Sequence, residues 1–267
     1  MSKNKLSQKR QKLAYALPLL VIGLVNYPIK VQANSVQLFH NRSPQRPNLL
    51  AQKFPDNGEP TGRRRGGTSR RDGCPELKTP ITAVVPGEEN GNKSFLAATI
   101  AEYPTFWVYV PELPKNVRSA EFVLQDEQDH DVYRTSVTLP GKAGTIGINL
   151  PSSPQYALKQ NSKYHWFFRV YCGNPQNQPE YFFVDAWLQR VALTPDLQQQ
   201  LKSTKSGEYK VYAANHLWYD AITNLADLDR THSDTSILAE DWMNLFEGLG
   251  LKELAQAPIL QRYNLHK

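Results

Sequence analysis

The chain has 267 residues, 40% of them hydrophobic, which is enough for one or two domains with a buried core, and its 31 Lys/Arg against 25 Asp/Glu give a formal charge of +6. Such an excess would ordinarily point to nucleic acid or anionic lipid as a partner. Here it is carried entirely by residues 1–33, which hold six Lys/Arg and no acid. The remaining 25 bases face 25 acids, so nucleic-acid binding by the folded part loses its support.

Lys3, Lys5, Lys9, Arg10 and Lys12 precede an apolar run over 13–25, the build of a secretory signal. The run is shorter than the roughly 20 residues of a membrane span, and Pro18 and Asn26 interrupt it. Val31-Gln32-Ala33 supplies small residues where a signal peptidase reads, so 1–33 is expected to be removed near Ala33. The mature protein would then be periplasmic or secreted, touching the membrane only transiently. The residue directly after that site is Asn34 and not a cysteine, so a lipid anchor is not indicated. The two cysteines, Cys74 and Cys172, are expected to pair in an oxidising compartment. Neither CxxC nor a Cys/His cluster is present, so no zinc site, redox motif or cofactor is expected.

Residues 34–73 are rich in Asn, Gln, Pro, Arg and Gly, with eight bases and three acids, and read as a disordered basic linker. Its arginines Arg63, Arg64, Arg65, Arg70 and Arg71 form either a solvated tether or a contact for an anionic headgroup, polyanion or acidic partner. From Cys74 onward short apolar runs recur between turn residues, predicting strands over 81–85, 95–100, 105–110, 121–125, 132–139, 145–150, 164–172 and 181–191. Regular spacing without helical periodicity makes 74–193 an antiparallel β-sandwich. Alternation in 164–172 places Tyr164, Trp166, Phe168, Val170 and Cys172 on a core face and His165, Phe167, Arg169 and Tyr171 on the other. Leu158 through Tyr164 resembles the tyrosine corner of immunoglobulin and fibronectin type III domains.

Thr194-Pro195-Asp196 is a helix start, and a short helix should reach about Lys202. Helical spacing continues over 209–228 and again over 235–245, with a last short helix over 251–257. Residues 194–267 therefore read as a helical segment, in which Trp218, Tyr219, Ala221 and Trp242 suggest one tetratricopeptide-like hairpin.

Several motifs together carry a family resemblance: Gly-Arg-Arg-Arg-Gly-Gly before Cys74-Pro, 104–111 (Pro-Thr-Phe-Trp-Val-Tyr-Val-Pro), 121–126, Tyr164-His-Trp-Phe-Phe, Trp187-Leu-Gln-Arg-Val and Leu217-Trp-Tyr-Asp-Ala. From Gly62 to the end the chain resembles a cyanobacterial family of secreted proteins known as domain of unknown function 928. The resemblance implies an envelope protein and brings no catalytic residues with it.

Candidate sites are few. Asp126-Glu-Gln-Asp-His-Asp131 could offer oxygens to a hard cation, but it lacks the glycine and distal glutamate of a calcium-hand loop and reads more simply as a hairpin tip. His130, His165, His216 and His232 are candidate general bases, yet no nucleophile elbow, zinc-protease motif or phosphate loop accompanies them. Trp107, Tyr109, Phe167 and Tyr171 either form an aromatic binding surface or bury against the helices and the opposite sheet. The expectation is a non-enzymatic protein-binding or scaffold module, mainly β with C-terminal α, whose partner is another envelope protein. A carbohydrate-binding module and a hydrolase assembled from scattered residues are the alternatives.

Overall fold

The computed structural model describes residues 49–264 apart from 59, 69–73, 89–91, 174–179, 205 and 232–235. The signal-peptide reading of 1–33, and with it Arg70, Arg71 and His232, lies outside the described residues. After a 3-10 turn at Leu49–Ala51 come β1 (Gly62–Arg63), β2 (Gly67–Thr68), β3 (Thr82–Ala83), β4 (Lys93–Ser94), β5 (Ala97–Thr99) and β6 (Thr105–Val110). They are followed by β7 (Ser119–Asp126), β8 (Asp131–Thr138), β9 (Gly144–Asn149), β10 (Lys163–Tyr171) and β11 (Tyr181–Arg190). Then come α1 (Pro195–Ser203), α2 (Glu208–Ala214), α3 (Trp218–Thr231), α4 (Ser236–Gly248) and β12 (Ile259–Asn264).

The larger sheet runs β2-β11-β10-β7-β8, with β5 also on β11; the smaller runs β12-β9-β6-β3, and β1 pairs with β4. The chain is thus mainly β, with three sheets and four helices that lie mostly toward the C-terminus among the described residues. Each of the eight strand segments read from the sequence contains a strand. One expectation fails: the sheets are not purely antiparallel, since β5 runs parallel to β11 and β12 parallel to β9. Apolar alternation specifies which side chains are buried, and it is silent on strand direction.

The core forms where the two larger sheets face each other. Along β10 every second residue, Tyr164, Trp166, Phe168 and Val170, is buried, as the pleat requires. Phe106 of β6 meets Phe122 of β7 at 4.7 Å and Trp166 at 5.6 Å between ring centroids. Each such side chain contributes roughly 1.5–3 kcal/mol on burial. The Tyr164 hydroxyl accepts a hydrogen bond from the backbone N–H of Lys159 at 2.7 Å, the upstream tie that the sequence suggested.

Helix α1 begins as read, with the Thr194 hydroxyl accepting from Leu197 N–H at 3.2 Å and Pro195 in the first turn. The single helix expected over 209–228 is instead two. It breaks after Ala214, where His216 adopts a left-handed φ of 59° and the Asn215 side chain donates to Val211 O. The break re-aims the next turn into the interior. Trp218 donates from its indole to Val84 O at 2.8 Å, and the Tyr219 hydroxyl accepts from the Trp166 indole at 2.9 Å inside the core. Residues 251–257 are also corrected: only Lys252–Leu254 forms a 3-10 turn, and β12 then returns to the edge of β9. A wholly helical 194–267 is therefore not what forms, because an open sheet edge offers Ile259–Asn264 a ladder of backbone hydrogen bonds.

The largest correction concerns the arginine-rich stretch. Low apolar content argued for disorder, yet β1 and β2 are ordered, β2 adding to β11 at Phe182 and Phe183. Arg64 is fully buried, donating from its guanidinium to Leu249 O just beyond α4 and to Glu88 O at 3.1 Å. Its alkyl stem runs under Gly87, where a β-carbon would stand 2.6 Å from the Arg64 Cδ. Arg65 reaches Glu253 at 2.5 Å. Hydrogen bonds to carbonyls at a helix end offset the desolvation of the charge, a compensation that composition does not reveal.

Candidate functional site

The side of the larger sheet turned away from the core is set by the same alternation that builds the core. On β10 it displays His165, Phe167, Arg169 and Tyr171; on β11, Tyr181, Phe183, Asp185 and Trp187; on β7, Glu121 and Gln125. Register places His165 opposite Trp187, Phe167 opposite Asp185, Arg169 opposite Phe183 and Tyr171 opposite Tyr181. All but the buried Asp185 are half-buried, as side chains on a sheet face are when flanked by neighbours.

Its polar groups are held in fixed relations. The His165 Nε2 lies 2.8 Å from the Asp185 carboxylate, whose other oxygen accepts the backbone N–H of Arg63 at 3.1 Å. The imidazole stacks on the Trp187 indole, 4.4 Å between centroids and 14° between planes. One oxygen of Glu121 receives Arg134 at 2.9 Å, Arg169 at 3.2 Å and the Tyr171 hydroxyl at 3.2 Å. Burial and the Glu121 charge push the Tyr171 phenol above its ordinary range. Arg63 lies over the Phe183 ring at 4.7 Å, and Arg169 lies between Phe167 and Tyr181 at 5.5 and 5.7 Å. Beside them Thr61, Arg63, Asn92, Phe183 and Asp185 line an open polar hollow of about 310 Å³.

The residues proposed from sequence as an aromatic surface are split. Phe167 and Tyr171 do stand on this face, but Trp107 and Tyr109 are buried on the smaller sheet. The Trp107 indole donates to the Thr223 hydroxyl of α3 at 3.0 Å, and Arg262 of β12 lies over its ring at 4.9 Å. Both faces of β6 are covered, so these two rings are packing groups. Trp187, Phe183, Tyr181 and Asp185 replace them, and the alternation along 181–187 was the signal that could have found them.

Of the described histidines, His165 alone meets a buried carboxylate; His130 is an exposed partner of Asp126 on the hairpin tip, and His216 sits at the helix break. Among the described residues no hydroxyl or thiol is hydrogen-bonded to His165. The 126–131 loop turns its acids on itself. Asp126 accepts from Gln128 and His130 N–H, which hold its carboxyl below its usual range, and Asp131 receives Arg134 and Gln125. Among the described residues no group of three or more His, Cys, Asp or Glu is placed to hold a metal ion.

A second hollow, about 200 Å³, lies where α3 meets the β5–β6 turn and is lined by Asp220, Thr223, Asn224, Asp227, Tyr103 and Tyr212 among others. Asp220 accepts the N–H of Ile100 at 3.1 Å, and burial pushes its carboxyl up to about 6. Those bonds make it a tether between helix and turn. Because the folded value exceeds the unfolded one, its contribution to stability is full below about pH 4 and is lost as pH rises through 6. Asp220→Asn should remove that dependence: between pH 4 and 7 the native protein loses on the order of 2–3 kcal/mol relative to the variant in urea titrations. Parallel pH profiles would sink the assignment.

Cys74 and Cys172 form a disulfide, with 5.1 Å between their Cα atoms, fastening the chain just after β2 to the end of β10. Among the described residues no helix is long and apolar enough to cross a membrane. No curated protein and no solved structure matches the chain. A family model does match, over residues 65–259, which takes in the larger sheet, β3, β6 and β9 of the smaller one, all four helices and the disulfide, and the chain accordingly belongs to the family described as Domain of Unknown Function (DUF928).

Proposed function

We propose that this is a non-enzymatic binding module of an oxidising, extracytoplasmic compartment, which docks another protein on the outer face of its larger sheet. The observation that carries the reading is the composition of that face: Trp187, Tyr171, Tyr181, Phe167, Phe183, Arg63 and Arg169 together, partly open to solvent. Aromatic residues and arginine are the types enriched in protein–protein hot spots. The Cys74–Cys172 disulfide supports an exported protein, and with the basic leader and family resemblance it supports a cyanobacterial envelope origin. The tyrosine tie at Tyr164 supports an immunoglobulin- or fibronectin-III-like sandwich, and buried Trp218, Tyr219, Ala221 and Trp242 support a tetratricopeptide-like helix pair. Neither likeness specifies a function by itself.

A carbohydrate module is favoured less, because Tyr171, Tyr181 and Phe183 meet edge to face at 67–77° and do not form a flat platform. Cross-linking in envelope extract, with the wild type compared against Phe167→Ala and Trp187→Ala, tests the docking face. Partners captured by the wild type and lost from both variants at unchanged melting temperature are expected. Identical capture by all three proteins would end the reading.

A further inference from the structure

Hydrogen-bond capacity on the outer face is one-sided. Asp185 is already engaged by His165 and by the Arg63 backbone, and Glu121 already receives Arg134, Arg169 and Tyr171. The exposed guanidinium of Arg63, by contrast, has no carboxylate within ion-pair distance among the described residues; it rests on Phe183. Arg169 stands directly across from the same ring, with one of its nitrogens on Glu121 and the others without a hydrogen-bond partner among the described residues. A guanidinium carries five N–H donors and accepts nothing. A partner with cations would meet carboxylates already paired, Glu121 with two guanidiniums and Asp185 with His165 and the Arg63 backbone, whereas one with carboxylates would find donors held in place on aromatic rings, where less freedom is lost on binding.

Resting on the docking-face reading above, we infer that the partner presents an acidic segment of polypeptide, its carboxylates taken by Arg63 and Arg169 on either side of Phe183. The apolar remainder of the segment lies against Phe167, Tyr181 and Trp187. A polysaccharide of uronic acids would bring the same carboxylates, but sugar rings need flat aromatic partners, and the edge-to-face tyrosines do not supply them.

The test uses the oxidised full chain and fluorescence anisotropy with three labelled probes: short poly-L-glutamate, poly-L-glutamine of equal length, and polygalacturonate of matched charge. Glutamate should bind, more weakly as salt is added, and glutamine should not. Arg63→Gln and Arg169→Gln should each weaken glutamate binding by about tenfold, with melting temperatures and near-ultraviolet dichroism unchanged. Absent glutamate binding, or binding by both variants as tight as by the wild type, overturns the inference. Preference for polygalacturonate overturns the polypeptide choice. If cross-linked partners are lost from Phe167→Ala and Trp187→Ala but kept by both arginine variants, the face stands and the acidic segment falls.

Discussion

Replacing Cys74 and Cys172 together by serine is expected to lower the unfolding free energy by about 3–5 kcal/mol. The two residues are 98 apart in sequence, so the bridge closes most of the two larger sheets into one loop and removes much of the freedom of the unfolded chain. The position adds a native-state effect. Cys172 directly follows β10, and its N–H donates to Glu180 O across the β10–β11 hairpin, while Cys74 follows the strap formed by β1 and β2. Without the bridge the strap is held by strands of two residues each and by its arginines. Urea titration of oxidised wild type against the double variant checks this. A difference below about 1 kcal/mol would mean that the bridge closes a loop already closed by residual structure in the unfolded chain.

Arg64→Ala is expected to cost about 3–5 kcal/mol, the range for truncating a large buried side chain. The loss combines a void beneath Gly87 with two carbonyls left without a donor: Leu249 O, which is buried and so costs about 1–3 kcal/mol, and Glu88 O, which is part-buried and costs less. The wild-type arrangement is itself imperfect. Arg64 Nε has no partner among the described residues, and burial pulls the guanidinium pKa down to about 10, still far enough above neutrality to stay charged. Arg64→Met, which fills the space and removes the buried charge, should therefore recover about half of the loss. Arg65→Ala is the contrast: its ion pair with Glu253 is partly exposed, and such pairs contribute about 0–1 kcal/mol. Equal destabilisation by Arg64→Ala and Arg65→Ala would show that the buried contacts at the end of α4 are not what holds the strap.

Both experiments bear on the docking face, because the strap lies along the edge of β11 that carries Phe183, Asp185 and Trp187. The backbone N–H of Arg63 on Asp185 fixes the carboxylate that in turn orients His165. Loosening the strap should therefore disturb the face at its centre before it disturbs the core between the sheets, where Trp166, Phe106 and Phe122 interlock.

Local pattern was sufficient for the elements of this protein. Strands such as Thr105–Val110 and Tyr181–Arg190, the threonine cap and proline of α1, the inward row of Tyr164, Trp166, Phe168 and Val170, and the pairing of two cysteines each follow from chemistry within a few residues or from simple parity. Tertiary structure alone decided three matters. It set the parallel directions of β5 and β12, which depend on which sheet edge remains open. It put Arg64 inside, because acceptors 185 and 24 residues away along the chain offset its desolvation. It divided the aromatic residues between packing and display, burying Trp107 under α3 and leaving Trp187 half open, since the identity of a side chain says that it can be buried and only its neighbours in space say whether it is.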